Sequence, residues 1–435
     1  MRRTVALAAG ACTVVALAGV VAGATAYART GDKSETVAVS APAADGVEAA
    51  PAGPAARPDE PEPPREAAGA PRTEERAGQG RGLVGREQIG TIDQVDRVIG
   101  YLDSERKTTL RYPGATYVKP HFSRVLLLPG DYLTVSDPSG AEVHRVEAGL
   151  LPGPGRWGMS ISGDTAVVEL HSIRPDLLGL ESTIANLGVG VDRVAHGFTP
   201  DERAKQPRRA PESVCGGDQK ADAVCYKSKD PVAYERSKAV ARLLIKGNEL
   251  CTAWRVGPNN RLMTNNHCIV TSADAYDTEV WFNYQCAQCG GHAVFRATKV
   301  WGDKVLSTNE ELDYTLFTVE DFDLVKKFGY LQFDLRRPAK GEELYIPQHP
   351  SGDPTEIAMT SDEDPNGNCA VDDPNYTGYA AGSDISYLCD TEGGSSGSPV
   401  ISKRTDKVLA LHHFGGCPNS GVRMDLIYNK IKSQL

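Results

Sequence analysis

The fold is decided by the stretch GGSSGSP at residues 393–399, which runs directly into the apolar pair Val400-Ile401. Two shorter segments precede it, TNNHC at residues 264–268 and LDYTL at residues 312–316. A serine hydroxyl is a poor nucleophile near neutral pH, so it needs a neighbouring base and a third group that orients this base. Glycines beside the serine let backbone N–H groups approach a developing oxyanion without an intervening Cβ. A histidine, an aspartate and a serine in this order predict nucleophilic catalysis by Ser396.

The N-terminus predicts an exported protein. Arg2-Arg3 is followed by an uncharged run, residues 4–28, that ends in Ala26-Tyr27-Ala28. A positive start, an apolar stretch and a small-x-small site are the parts of a signal peptide at residues 1–28. The uncharged run is also long enough to span a bilayer, so a protein anchored at the membrane by its signal is the alternative. We expect a secreted, extracellular protein that has no stable membrane contact once the signal is removed.

Charge and cysteine content agree with this compartment. The 435 residues carry a formal net charge of −10, which does not favour a nucleic-acid partner. Ten cysteines are present, and the nine that remain after cleavage at Ala28 all lie at or after Cys215. In an oxidising compartment most of them should pair, and their odd number leaves one thiol free or bound to another molecule.

The composition changes several times along the chain and predicts distinct parts. Residues 29–88 are rich in Ala, Pro and Glu and poor in large apolar residues, so we expect a disordered linker or pro-segment. Short strands between Gly, Pro and Asp turns predict a separate β-sandwich, an accessory or pro-domain, at residues 89–190. The polar residues 191–235 are predicted to form a linker, which is a candidate place for a pro-region cleavage.

Strands dominate residues 236–435 again. The apolar stretches predicted as strands are residues 240–245, 280–284, 293–297, 315–319 and 408–411. Near the end of the chain, Ile427, Ile431 and Leu435 recur at every fourth residue, with polar residues between them. This spacing predicts an amphipathic C-terminal helix.

The three segments make residues 236–435 resemble the chymotrypsin-like (trypsin-like) serine proteases, in particular their bacterial secreted branch. The other well-known chain orders for such a triad place Asp or Ser first. The resemblance implies a mainly β fold, in which two antiparallel barrels hold the site at their interface and a helix follows. It also implies hydrolysis of peptide bonds in protein or peptide substrates, with no cofactor and no metal ion.

The resemblance assigns a role to each residue of the site. His267 is the general base, and Asp313 orients it and stabilises its cationic form. Ser396 attacks the carbonyl carbon of the substrate and forms an acyl-enzyme. The backbone N–H groups of Gly394 and Ser396 donate to the oxyanion.

The same resemblance implies a disulfide between Cys251 and Cys268, which pins the loop that carries the histidine. For other cysteines the sequence suggests two pairings, namely Cys215 with Cys225, and Cys389 with either Cys369 or Cys417. The CAQC run at residues 286–289 has the form of one corner of a zinc site. A structural zinc ion needs four ligands and no second corner is evident, so a disulfide or loop role is favoured there.

Specificity is predicted from three residues, Asp390, His412 and His413. Asp390 lies six residues before Ser396, where trypsin-type enzymes carry the acid that pairs with a P1 Lys or Arg. This position favours cleavage after basic residues, although Asp390 could instead pair with a His or cap local backbone. His412 and His413 align with the pocket wall, where glutamyl endopeptidases use a His to bind an acidic P1. Because a protonated His would attract Glu while Asp390 would repel it, glutamyl-type specificity is the alternative.

Two departures from familiar patterns bear on activation and on metal binding. Ser395 stands where many animal members of the family carry the Asp that receives the freed N-terminus, and the chain has no Ile-Val-Gly-Gly start. Activation through that ion pair is not expected, whereas removal of residues 29–235, or part of them, is a candidate control of access. The DEDPNG run at residues 362–367 opens like a calcium loop, but its twelfth position is Asp373, and a solvated acidic loop is expected.

The predicted enzyme has a rival from another functional class. A secreted binding protein could keep the protease fold and be catalytically inactive. The presence of all three predicted catalytic residues, His267, Asp313 and Ser396, favours the enzyme.

Overall fold

The structure is a computed structural model, and it describes residues 85–103, 105–147, 155–173, 187–205 and 213–435. The signal peptide predicted at residues 1–28 lies outside the described residues, as does the predicted linker at residues 29–88 up to residue 84. Within the described ranges, no helix is both long enough and apolar enough to cross a membrane.

The described residues before residue 200 form mostly strands. They are β1 (Glu87–Gln88), β2 (Gly90–Gly100), β3 (Lys107–Arg111), β4 (Tyr117–Leu126), β5 (Tyr132–Ser136), β6 (Val143–Glu147), β7 (Arg156–Trp157), β8 (Ile161–Ser162), β9 (Thr165–His171) and β10 (Gly188–Gly197). Strands β2 to β10 make two antiparallel sheets, in the orders β2-β10-β4-β7, with β8 beside β4, and β3-β9-β5-β6. In β9, Ala166, Val168 and Leu170 are buried in alternation with half-buried residues, so one sheet face packs into the shared core.

The remaining strands belong to the C-terminal half. They are β11 (Ala221–Asp222), β12 (Val240–Ile245), β13 (Glu249–Arg255), β14 (Leu262–Thr264), β15 (Thr278–Phe282), β16 (Thr298–Asn309), β17 (Tyr314–Val319), β18 (Leu344–Gln348), β19 (Glu356–Ala358), β20 (Val371–Tyr376), β21 (Asp384–Tyr387), β22 (Pro399–Ser402), β23 (Val408–Phe414) and β24 (Asn419–Arg423). The helices are α1 (Pro200–Lys205), α2 (Tyr226–Lys229), α3 (Pro231–Ser237), α4 (Ser272–Tyr276), α5 (Phe322–Val325) and α6 (Met424–Ile431).

Strands β12 to β17 close into the first barrel. Their sheet runs β13-β12-β15-β16-β17-β14, and β14 pairs back with β13, so each strand has two neighbours. Leu243, Ala253, Phe282 and Phe317 are among the fully buried side chains of its core. The short strand β1 is added to β13 from outside the barrel.

The second barrel is only half closed. Its sheet runs β11-β19-β18-β22-β23-β24-β21-β20. A single bridge between Glu343 and Ala370 brings the start of β18 towards the start of β20. Helix α6 then packs Met424, Ile427 and Ile431 into the core between the barrels. The predicted mainly β fold, with two barrels, a C-terminal helix and a preceding sandwich, is confirmed.

Several local predictions differ from the structure. Residues 293–297 do not form a strand, because Val294 makes only an isolated bridge with Cys286 and both Val294 and Phe295 are exposed. Strand β15 ends at Phe282, since Asn283 has a positive φ that interrupts the extended backbone. Leu435 is exposed, so the buried stripe of the C-terminal helix ends at Ile431.

The limits of the predicted sandwich and of the predicted linkers can be compared with the observed elements. Strand β1 lies inside the stretch assigned to the first linker, residues 29–88. Strand β10 runs to Gly197, beyond the limit drawn at residue 190. Helices α1 and α2 lie within residues 191–235, and α3 begins there.

The disulfides join distant parts of the chain. Cys251 bonds to Cys268, and the other bonds are Cys215–Cys417, Cys225–Cys289 and Cys369–Cys389. The suggested pairing of Cys215 with Cys225 was therefore wrong, because the chain between them turns away and each meets a partner in a different barrel. Among the described cysteines, Cys286 keeps a free thiol, which is buried.

A buried ionic cluster joins the sandwich to the first barrel. Lys119 of β4 donates to Glu279 of β15, and both side chains are fully buried. Glu279 also accepts from the backbone N–H and the hydroxyl of Ser160, at 2.8 and 2.7 Å. Lys299 of β16 in turn donates to the Ser160 carbonyl at 2.8 Å. Because every charge in the cluster has a partner from the other part, its desolvation is compensated only while the two parts remain together.

Replacing Lys119 tests this interface. A Lys119→Met substitution leaves the Glu279 carboxylate buried without its cation, so we expect the free energy of unfolding to fall by about 3–5 kcal/mol. Urea denaturation followed by circular dichroism measures the change. The matched control is Lys326→Met, which breaks an exposed ion pair with Asp323 and should change stability by less than about 1 kcal/mol. Equal effects of the two substitutions would show that the cluster is not desolvated.

Candidate active site

The three predicted catalytic residues come from separate loops, and the loops of His267 and Ser396 are both bonded to β13. His267 follows β14, Asp313 directly precedes β17, and Ser396 precedes β22. Thr252 of β13 donates its backbone N–H to the Ser396 carbonyl at 2.8 Å and its hydroxyl to the Gly394 carbonyl at 2.9 Å. The serine loop of the second barrel is thus held on a strand of the first barrel.

Two glycines in the serine loop are required by the space around them. Gly394 and Gly397 have φ values of +92° and +91°, which only glycine adopts readily. A Cβ on Gly394 would overlap the side chain of Leu250, and a Cβ on Gly397 would overlap the carbonyl of Thr252. The loop can approach β13 this closely because neither residue has a side chain.

His267 and Asp313 are joined by two hydrogen bonds. Nδ1 of His267 lies 2.8 Å from Oδ2 of Asp313, and the backbone N–H of His267 donates to Oδ1 at 3.0 Å. Burial alone would raise the pKa of Asp313, but His267 and His413 hold it well below its usual range. An ionised Asp313 fixes the proton of His267 on Nδ1 and leaves Nε2 as the basic nitrogen.

The second ring nitrogen of His267 has no bonded partner in this state. Nε2 is buried and makes no hydrogen bond within the described part of the chain, so Ser396 does not donate to it here. The loops that carry the two residues are nevertheless adjacent, because both are fixed to β13. Catalytic hydrogen bonds are often long without a substrate and tighten when it binds.

A disulfide and a hydrogen bond fix the histidine loop to the same strand. Cys268, directly after His267, is bonded to Cys251 of β13. Thr264 donates its hydroxyl to the carbonyl of Thr252 at 2.8 Å. The histidine loop and the serine loop therefore share one support.

Two backbone N–H groups of the serine loop are available to a ligand. Among the described residues, none accepts a hydrogen bond from the N–H of Gly394 or of Ser396. The intervening Ser395 is used internally, since its N–H donates to the Glu392 carbonyl at 3.0 Å and its hydroxyl to Oε1 of Gln348 at 2.5 Å. The neutral Ser395 thus ties the loop to β18.

The structure adds Asp384 to the site, which the sequence analysis did not identify. His413 lies between two carboxylates, with Nδ1 3.2 Å from Oδ2 of Asp313 and Nε2 2.7 Å from Oδ2 of Asp384. Burial alone would lower the pKa of His413, but Asp384 and Asp313 raise it to about 9. His413 is therefore a cation at neutral pH, and it bonds the same oxygen of Asp313 that His267 uses. The sequence signal that could have identified Asp384 is an Asp at the start of a short strand with apolar residues.

The predicted specificity residues all have partners inside the protein. Asp390 is fully buried and accepts from the backbone N–H groups of Cys215 and Gln219 at 2.9 and 2.7 Å. His412 lies 2.7 Å from the hydroxyl of Tyr387, and burial lowers its pKa to about 3, so it is neutral near pH 7. Asp390 thus caps backbone, which was one of the roles considered for it.

Comparison with known proteins finds a family match in the C-terminal half and a relative that covers most of the chain. Residues 216–424 match the family described as lysyl endopeptidase, C-terminal domain. The chain is 38% identical over 333 residues to secreted RxLR effector protein 73 of Plasmopara viticola, an alignment that covers 73% of this chain and 79% of that protein.

The likeness to solved structures is weaker. The Rv3671c protease in its inactive form shares 16% identity, with 48% of this chain and 94% of that chain covered and a TM-score of 0.36. A Glu endopeptidase shares 15% identity, with 51% and 97% covered and a TM-score of 0.35.

The buried charge of His413 predicts how stability depends on pH. Its pKa in the folded protein, about 9, lies above its ordinary value of about 6.5, so the stabilisation is fully present below pH 6.5 and is lost as the pH rises through 9. We expect the free energy of unfolding to fall over this window in the wild type and to fall less in a His413→Gln variant. Urea denaturation at pH 6, 7.5 and 9 measures both slopes. Parallel slopes would contradict a charged His413.

Proposed function

We propose that this chain, which belongs to the same family as secreted RxLR effector protein 73 of Plasmopara viticola, is a serine endopeptidase. The observation that carries the proposal is the pair of hydrogen bonds between His267 and the buried Asp313, with the loops of His267 and Ser396 both fixed to β13. The match to the lysyl endopeptidase family over residues 216–424 supports it. Four disulfides and the name of the secreted relative support export as well.

The proposed reaction is acyl transfer from a peptide bond. Nε2 of His267 takes the proton of Ser396 as its oxygen attacks the carbonyl carbon, and the N–H groups of Gly394 and Ser396 stabilise the oxyanion. His267 then gives the proton to the leaving amine, which departs and leaves an acyl-enzyme. Water attacks the acyl-enzyme with His267 again as base, and the acid product is released. Asp313 stays ionised throughout and stabilises the cationic form of His267.

Active-site labelling distinguishes this enzyme from an inactive binding protein. We expect a fluorophosphonate probe to label the wild type, and we expect Ser396→Ala to lose both the label and peptidase activity, with kcat reduced on the order of 10⁴–10⁶-fold. The matched control is Ser398→Ala in the same loop, whose buried hydroxyl has no partner among the described residues. This control should keep the label. A processed wild type that remains unlabelled would favour the inactive binding protein. The name of the relative, an effector, is compatible with that class.

We further propose that the enzyme prefers a basic P1 residue. The matched family is named for a lysyl endopeptidase, and Asp390 remains the buried acid closest in sequence to the serine loop. Glutamyl-type specificity needs a cation that is free to bind the substrate. His412 is neutral near pH 7, and the charge of His413 is compensated by Asp313 and Asp384, so neither residue supplies it.

A peptide library digested by the protein and analysed by mass spectrometry tests the preference. We expect cleavage after Lys or Arg to exceed cleavage after Glu by at least about tenfold, because the carboxylate of Asp390 attracts a cationic P1 side chain and repels an acidic one. An Asp390→Asn variant should lower the ratio of kcat/KM for Lys over a neutral P1 residue. The ratio is the readout, because damage to folding lowers both rates equally. Cleavage mainly after Glu would overturn the basic preference.

A further inference from the structure

Strand β1 covers an edge of β13 beside the candidate site. Glu87 pairs with Leu250 and Gln88 with Glu249 in antiparallel register. The next residue, Ile89, donates its N–H to the Asn248 carbonyl at 2.9 Å. A free strand edge is where an extended peptide adds to a sheet, so β1 occupies a position that another extended chain could take.

The side chains of Glu87 in β1 and of the preceding residue, Arg86, reach both halves of the site. Nε of Arg86 donates to the His267 carbonyl at 3.2 Å, and Nη1 donates to Oε2 of Glu249 at 2.6 Å. The carboxylate of Glu87 lies so close to Gly393 that a Cβ on this glycine would overlap it. Gly393 directly precedes the oxyanion residue Gly394. The segment therefore lies in the cleft between the histidine loop and the serine loop.

The chemistry of acyl transfer identifies which half of a substrate this position serves. The acyl part of the substrate stays on Ser396, whereas the leaving amine must lie next to the imidazole of His267 that protonates it. Strand β1 pairs with the first barrel, and Arg86, directly before it, donates to the backbone carbonyl of His267. It thus lies where the residues after the scissile bond would pass.

The sandwich holds β1 in this place. Ile89 is buried in a cluster with Tyr117, Leu244, Leu250 and Trp281, and its carbonyl accepts from the N–H of Phe198 at 3.0 Å. Strand β2 begins one residue later, at Gly90, so β1 is a direct extension of the sandwich. Because the buried ionic cluster around Glu279 fixes the sandwich to the first barrel, β1 is presented to β13 at a high effective concentration.

Building on the proposed function, we propose that the segment Gly85–Gln88 competes with substrate residues beyond the scissile bond. The segment is a specificity-determining element for the leaving-group side of the cleft. A substrate with a small leaving group does not need the covered edge of β13, whereas a peptide with several residues after the scissile bond must displace β1 or bind without strand pairing.

Two substrates with the same acyl part test the proposal on the full chain. One is a peptidyl p-nitroanilide, and the other is an internally quenched peptide with four residues after the scissile bond. The variant combines Arg86→Ala with Glu87→Ala, which removes the contacts to the His267 carbonyl, Glu249 and Gly393. If β1 is displaced in about a tenth of wild-type molecules, the variant gains up to about tenfold in kcat/KM for the extended peptide. Its kcat/KM for the anilide should stay within about twofold.

The matched control combines Asp96→Ala with Arg97→Ala, an exposed pair of the same charges on β2, and it should leave both rates unchanged. The anilide rate also reports correct folding of each variant. If neither rate changes in the variant, the proposal is overturned. If both rates rise by the same factor, the assignment of β1 to the leaving-group side is overturned. If no variant hydrolyses either substrate and the fluorophosphonate probe does not react, the proposed function itself fails, and this proposal fails with it.

Discussion

The candidate site depends on the hydrogen bonds that Thr252 of β13 makes. Its N–H and hydroxyl hold the carbonyls of Ser396 and Gly394, and its own carbonyl accepts from Thr264 in the strand that leads to His267. A single residue thus connects a loop of the second barrel to the histidine side of the first. The close approach is possible because glycine occupies positions 394 and 397. The relative positions of the proposed base and nucleophile are therefore fixed by hydrogen bonds that link one residue of β13 to both loops.

A second constraint is electrostatic. Asp313 is buried between two histidines, and His413 is buried between two carboxylates. His267, Asp313, His413 and Asp384 thus form a row of hydrogen-bonded side chains in which each carboxylate faces a histidine. Because each buried charge has a partner of opposite charge, the groups can stay ionised. The row ends at Asp384, whose Oδ2 also accepts from the hydroxyl of Ser420 at 2.8 Å. The second barrel thereby supports the orientation of an aspartate that belongs to the first.

Much of the fold and the central residues of the site could be predicted from the sequence, because the patterns that indicate them are local. The glycine-rich loop, the histidine segment and the aspartate segment can each be recognised within a few residues. Features that depend on distant partners could not be predicted. Cys215 and Cys417 are 202 residues apart, Asp390 is occupied by backbone donors from residues 215 and 219, and Asp384 is recognisable only once His413 is placed beside it. The docking of β1 was missed because the composition of residues 29–88 indicates a linker, whereas pairing with β13 orders its last residues.

The contacts that hold the parts of the chain before Lys205 and after Ser213 determine whether these parts separate when the chain is cut between them. On one side, the sandwich is held to the first barrel by the buried charges around Glu279. On the other side, Cys215 is covalently bonded to Cys417 in the second barrel. Hydrolysis between these anchors would change the number of chains without releasing either part. The product would be a nicked heterodimer, in which the former N-terminal half persists as a noncovalent subunit and continues to hold β1 against the cleft.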